Sequence, residues 1–210
     1  NHATQQGANV GDCLYKDVSG ADGKPDGKID GYDQVVLGSG LPKVNFGLSA
    51  RLEYKNFDLT ISTYGSLNYH VSDDIYNSLN SCYGWGNKDV SILNANQYSS
   101  DGKTYISSVP RTYVTNNASL AWNDLFSSRK IQNAAYWKIA NIELGYNLPN
   151  KWFKGIISGA RAYISAQNVY TFTGYHGYNV DYAGGTFTPG NNFCSFPTPH
   201  TYMCGVQFTF

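Results

Sequence analysis

Apolar and polar residues alternate with a period of two along several stretches of the chain. From 46 to 54, Phe46, Leu48, Ala50, Leu52 and Tyr54 fall on one face, and Gly47, Ser49, Arg51 and Glu53 on the other. After Lys55 and Asn56 the pattern resumes, with Phe57, Leu59 and Ile61 opposing Asp58, Thr60 and Ser62. These two runs predict a hairpin closed by a two-residue turn. From 136 to 148, Tyr136, Ala140, Ile142, Leu144, Tyr146 and Leu148 take one face, and Asn141, Glu143, Gly145 and Asn147 the other. Lys138 falls on the apolar face of that run, near its outer end, where its stem can lie along apolar surface. Over about 156–172, Ala160, Ala162, Ile164 and Ala166 oppose Arg161, Ser165 and Gln167. A last run places Tyr202, Cys204, Val206, Phe208 and Phe210 on one side.

Five strands are therefore expected, each near the roughly 9–11 residues that a tilted membrane strand needs. Their connections alternate between short (Lys55–Asn56, Pro149–Gly155) and long (about 67–135 and 173–200), so every long one falls on the same side. Outer-membrane barrels have that layout. A soluble β-sandwich also alternates. Against it stand Arg51, Glu53, Glu143 and Arg161 on strand faces, Tyr and Phe near strand ends, and a chain that stops on an alternating strand. About five strands cannot close a barrel, which needs about eight at least. An open edge in lipid leaves backbone groups unpaired. The expected fold class is all-β: the C-terminal antiparallel strands of a large transmembrane β-barrel with long extracellular loops.

Composition narrows the function. Net charge is zero and only 14% of residues are charged, so the basic footprint of a nucleic-acid binder is absent. Aromatics reach 15%, with 18 Tyr, beside 22 Gly, a mix that favours strands and turns. The Cys residues, Cys13, Cys82, Cys194 and Cys204, have no zinc-ligand spacing; they read as plain thiols, with the alternative that Cys13, Cys82 and Cys194 lie in loops on one side and two of them pair. No Ser-His-Asp order, carboxylate pair or phosphate loop points to an enzyme, and His70, His176 and His200 read as loop residues.

Four blocks carry a family resemblance: the stretch from YKDVSG at 15–20 through DGKIDGYDQVVLGSGLPKVNFGLSARLEYKNFDLTI at 26–61, YWKIANIELGYNLP at 136–149, ARAYISAQNVYTFTGYHGYNVD at 160–181, and FPTPHTYMCGVQFTF at 196–210. In order and spacing they resemble the C-terminal part of SusC/RagA-type TonB-dependent outer-membrane transporters. The resemblance implies a whole barrel of about 22 strands around an N-terminal plug. It implies active import of a glycan or peptide, energised through the TonB complex. It also implies a SusD-like surface lipoprotein as lid, an outer-membrane location, and a periplasmic C-terminus where Phe210 serves as an assembly signal. Residues 1–43 are then an extracellular loop and 44–210 barrel strands with their loops, the plug not being represented.

The acidic run DGKPDGKIDGYD, Asp22 to Asp33, takes its meaning from that resemblance. In the family the loop has a spacing close to a calcium loop, with oxygen ligands at alternate positions, a glycine for the sharp turn and an apolar anchor. Asp26, Gly27, Lys28, Ile29, Asp30 and Asp33 fit its second half, Lys28 through its carbonyl. Counting from Asp22 puts Lys24 at a ligand position; counting from Asp17 puts Ser19 there and makes 21–25 an insertion. The second register is preferred. The expected structural Ca2+ ligands are Asp17, Ser19, Asp26, Lys28, Asp30 and Asp33, with Asp22 able to reach in. A solvated acidic turn is the plain competitor. Loop aromatics Tyr83, Trp85, Trp122, Tyr175, Tyr178 and Tyr182 are the candidate substrate contacts. The alternative function is a calcium-stabilised, β-rich carbohydrate-binding module.

Overall fold

The computed structural model describes residues 3–84, 86–113, 122–153, 157–181, 185 and 187–210. Its strands are β1 (Val44–Tyr54), β2 (Phe57–Leu67), β3 (His70–Asp73), β4 (Ile131–Asn133), β5 (Tyr136–Leu148), β6 (Gly159–Thr173), β7 (Asn191–Asn192) and β8 (Thr201–Thr209). A short helix, α1 (Asp74–Leu79), follows β3. β1, β2, β5, β6 and β8 form one antiparallel five-stranded sheet in that order. They are the five alternating runs of the sequence, with the fourth starting at Gly159 rather than near 156. The hairpin turn is two residues long, since Tyr54 pairs with Phe57. Lys55 takes φ 55° to make it.

Register separates the two faces of the sheet. Leu48, Leu52, Leu59, Ile61, Ile142, Leu144, Ile164 and Val206 share one face, and Arg51, Asp58, Glu143, Arg161 and Gln207 share the other. On the apolar face the aromatics gather at the strand ends. Tyr54, Phe57, Tyr146 and Phe208 form one row, with Phe57 and Tyr146 ring centroids 4.8 Å apart. Phe46, Trp137, Tyr170, Phe172 and Tyr202 form the other, where Trp137 stacks on Phe172 at 5.3 Å. From Phe46 to Tyr54 the strand climbs about 27 Å. A tilt of about 40° reduces that to about 21 Å, close to the apolar band of a membrane barrel.

The apolar-face assignment for Lys138 and Tyr136 is corrected by a bulge. Ser62 pairs with Asn141 but Thr63 with Ile139, which leaves Ala140 without a partner on β2. One extra residue turns the rest of the strand over. Lys138 therefore pairs with Tyr64 and Tyr136 with Ser66, on the polar face, while Trp137 and Ile139 point to the apolar one. A lysine on the membrane side would have been costly, and the bulge removes it.

The long connections carry structure that alternation did not predict. β3, β4 and β7 form a small sheet in the order β4-β3-β7. Beside it Tyr69, Val71, Ala134, Tyr136, Tyr175 and Val180 make a buried cluster. Compactness also divides the chain differently from a cut at residue 43. One unit holds 1–38 and 73–131, the other 39–72 and 132–210. In the first unit the leading segment and the long connection are joined by polar contacts. Arg111 donates to Asp12 at 2.6 Å, Asn123 receives the Cys13 amide at 2.6 Å, and the Tyr15 hydroxyl reaches the Trp122 carbonyl at 2.6 Å.

Candidate functional site

The acidic loop is closed by its own carboxylates. Asp17 Oδ2 accepts from the Gly27 amide at 2.7 Å, and Asp33 Oδ1 accepts from Val18 and Ser19 at 2.8 and 3.2 Å. Asp33 Oδ2 also takes the Asp30 amide at 2.9 Å. The Asp30, Val18 and Ser19 amides hold the Asp33 carboxyl below the usual carboxylate range, the Asp30 bond contributing most. Gly27 turns at φ 83°, where a side chain would be strained. Gly20 lies so close to Asp26 that a Cβ there would sit 2.9 Å from the Asp26 Cβ. Ile29 is buried, and its amide bonds the Thr4 carbonyl at 3.0 Å.

These contacts bring Asp17 and Asp33 to the same loop. Asp22 caps Lys24 at 3.3 Å and stays outside. Asp17 Oδ1 is buried and has no hydrogen-bond donor, the condition of an oxygen reserved for a cation. The donors are all oxygen, which fits a hard cation in kind. Among the described residues, however, no three carboxylates, imidazoles or thiols converge into a metal-sized group. Asp26 and Asp30 cap the amides of Lys28 and Tyr32 instead, at 2.9 and 2.8 Å.

The polar face of the large sheet holds an ionic cluster that sequence reading left unconnected. Arg161 Nε donates to Asp58 Oδ1 at 3.0 Å, Nη2 donates to Asp58 Oδ2, and Nη2 also reaches Glu143 Oε1 at 2.8 Å. Asp58 is buried at 2% exposure, so this charge depends on its partners. The guanidinium occupies the space over Gly145, where a Cβ would collide with it. It also lies 5.5 Å from the Tyr163 ring, which covers Gly205 at 2.7 Å from where a Cβ would be. Two glycines on β5 and β8 thus flank a strand of large side chains on β6. Nearer the other end of that face, Lys138 pairs with Asp181, which also accepts from the Tyr64 hydroxyl at 3.1 Å.

Known proteins are similar to this chain in sequence and fold. The chain is 27% identical to "TonB-dependent receptor P3" of Formosa agariphila over 97% of its length, and 25% identical to "TonB-dependent receptor SusC" of Bacteroides thetaiotaomicron over 94%. It covers 19% of each of those proteins. Among solved structures it matches the RagAB peptide importer in its closed-closed state, with a TM-score of 0.68 and 26% identity over 91% of the chain and 20% of the matched one. No family model matches. These similarities support the chain being a fragment of a SusC/RagA-type TonB-dependent transporter. Its two-faced sheet is a section of transmembrane β-barrel wall, and none of these relatives is named as an enzyme.

In the structure the predicted loop aromatics separate. Tyr83 stacks on Tyr113 at 5.2 Å, and Trp122 bonds the Gln6 carbonyl through Nε1 at 3.0 Å, so both pack loop against loop. Tyr175 is in the buried cluster, its hydroxyl held by Asn192 at 2.6 Å. Tyr178 presents its ring to solvent at 65% exposure. Trp85 and Tyr182 lie outside the described residues. Phe210 stands exposed just past β8. All four cysteines are free. Burial pushes the thiols of Cys13 and Cys82 up, against the pull of Arg129, whose Nη1 is 3.4 Å from the Cys13 sulfur.

Proposed function

We propose that the chain is a wall segment of an outer-membrane importer, energised through TonB, that takes in an oligosaccharide or peptide under a SusD-like lipoprotein lid. The observation that carries the reading is the pairing register. It puts an aromatic-bordered apolar band on one face and the Arg161–Asp58–Glu143 cluster on the other, as a lipid side and a wet lumen require. The similarity to SusC and to a peptide importer supports the import role and leaves both substrate classes in play. The binding-module alternative loses support from the same face. Leu48, Leu52, Ile164 and Val206 stand between 58% and 65% exposed there, a surface that a water-soluble module would cover.

The loop of Asp17, Ser19, Asp26, Lys28, Asp30 and Asp33 holds Ca2+ in this reading, supported by the Asp17 register and its unpaired Oδ1. The ion supplies charge balance for carboxylates that otherwise crowd one another. Its role is to brace the segment leading into β1.

With long connections extracellular, β1, β5 and β8 run inward and β2 and β6 outward. The test uses the full-length transporter in cells, with native cysteines removed and single cysteines at Ser100, Gly185 and Asn150. An impermeant maleimide on intact cells labels Ser100 and Gly185 and leaves Asn150 untouched. Labelling at Asn150 alone inverts the orientation. Uptake of candidate oligosaccharides and peptides, with and without a protonophore, then separates energised import from passive leakage.

A further inference from the structure

Ala135 and Gly174 are the residues just beyond the last pair of β5 and β6, Tyr136 with Thr173. Alternation returns both to the outer face of the wall. The neighbours confirm it: Ala134 and Tyr175, one position further on each side, are buried in the inner cluster. Directly below Ala135 and Gly174 on that outer face is the stacked pair Trp137 and Phe172, part of the aromatic row at the membrane boundary. Here the surface opens into a cavity of about 400 Å³ lined by Gln132, Asn133, Ala135, Gly174 and His176. That volume is in the range of small-ligand sites.

The lining has a definite chemistry. Among the described residues it contains no carboxylate, lysine or arginine, so no permanent charge in it selects a charged headgroup. Gln132 Oε1 accepts the His176 amide at 3.0 Å, which fixes how the side-chain amide is turned. Its Nε2 is then buried with no acceptor. A buried donor without a partner carries a desolvation cost that a ligand oxygen would relieve. Asn133 adds a second amide, and Gly174 leaves open space, with nothing within 4 Å of where its Cβ would be.

We infer that this cavity is a headgroup site for a neutral glycolipid of the outer leaflet: amide and imidazole groups take the sugar hydroxyls, while Trp137 and Phe172 below lie against the top of its chains. It rests on the apolar face being the lipid face, and it concerns the outside of the wall rather than the import path.

The test uses the full-length transporter in phosphatidylcholine nanodiscs, doped equally with monogalactosyl diacylglycerol and the matching diacylglycerol, with co-released lipid read by native mass spectrometry. The wild type retains the galactolipid over the diacylglycerol by about tenfold, a factor set by one or two added polar contacts. Gly174→Leu, whose side chain fills the cavity without straining the backbone, removes the enrichment, and Gln132→Leu cuts it severalfold. Equal retention by the wild type, or full enrichment in Gly174→Leu, overturns the site. Loss of enrichment on adding methyl galactoside at the same concentration as the lipid assigns the site to a soluble sugar and overturns the headgroup. A nitroxide at Tyr202→Cys in the same nanodiscs reports whether that face meets lipid. If it does and no galactolipid is retained, this inference fails while the transporter reading stands.

Discussion

Replacing Arg161 by Met tests whether the wall is held by its ionic cluster. In the wild type the guanidinium makes two hydrogen bonds to Asp58 and one to Glu143. The Asp58 side chain is 3% exposed, Arg161 23% and Glu143 28%. Methionine keeps the stem and removes the charge. Asp58 is then left with the Asn147 amide at 3.4 Å and a second carboxylate nearby. Stranding a buried charge costs about 3–5 kcal/mol. The lumen is wet and Arg161 is partly solvated, so the lower end applies: about 3 kcal/mol, or roughly a hundredfold in the folded ratio. Adding Asp58→Asn removes the stranded charge and should recover most of the loss. The control is Arg51→Met. Arg51 pairs with Glu53 at 2.8 Å, but both side chains are more than 60% exposed, and less than about 1 kcal/mol is expected. The assay is the urea midpoint of the full-length transporter in detergent, followed by heat-modifiable mobility. An Arg161→Met shift no larger than that of Arg51→Met, or no recovery in the double variant, would refute the reasoning.

Three further outcomes follow from the loops. Asp33 has a folded pKa depressed below its unfolded one, so its contribution to loop order is present above the unfolded value and lost as pH falls through the depressed one. Amide protection at Val18, Ser19 and Asp30 should fall below about pH 4 and be low at neutral pH in Asp33→Asn. Asp17→Asn with Asp30→Asn should lower the calcium content of the purified transporter; unchanged stoichiometry places the ion elsewhere. Tyr178→Ala should weaken substrate binding while stability holds, whereas Tyr175→Ala, emptying the buried cluster, should cost about 3 kcal/mol in stability. The reverse pattern would exchange the two roles.

The strands were legible because a wall between lipid and water imposes a strict two-residue period, and the chain obeys it over β1, β2, β6 and β8. What breaks that period is harder to see. The bulge shows in the sequence only as two apolar residues side by side, Ile139 and Ala140, in an otherwise alternating run. Gly145 read as one more small residue on the polar face; its reason is the Arg161 side chain of the next strand, and cross-strand neighbours are set by register. The acidic loop was legible in spacing, and Asp17 does reach it through the Gly27 amide. Its ligand geometry was not, because the same aspartates serve equally well as caps for backbone amides. The loop aromatics divide by packing partners far away in sequence, which no local pattern encodes.

The bulge also bears on how a transporter wall keeps a long loop in place. Without the extra residue, Lys138 would point into lipid and Asp181 would have no cation on the strand beneath it. With it, Lys138 lies inward at 3% exposure and pairs with Asp181, and the Tyr64 hydroxyl adds a second bond to the same carboxylate. The next contact along the loop is the Val180 carbonyl, which accepts from the Tyr69 hydroxyl at 2.8 Å. Val180 itself is buried against Tyr69 and Tyr136. The 173–200 connection is thus fastened at its root by one ion pair, two tyrosine hydroxyls and an apolar cluster, all on the inner side. Further out β7 returns to pair with β3, while Phe187, Phe193 and Phe196 on either side of it stay 64–96% exposed. A firm root with open apolar outer residues lets such a loop change what it meets while the wall beneath stays the same.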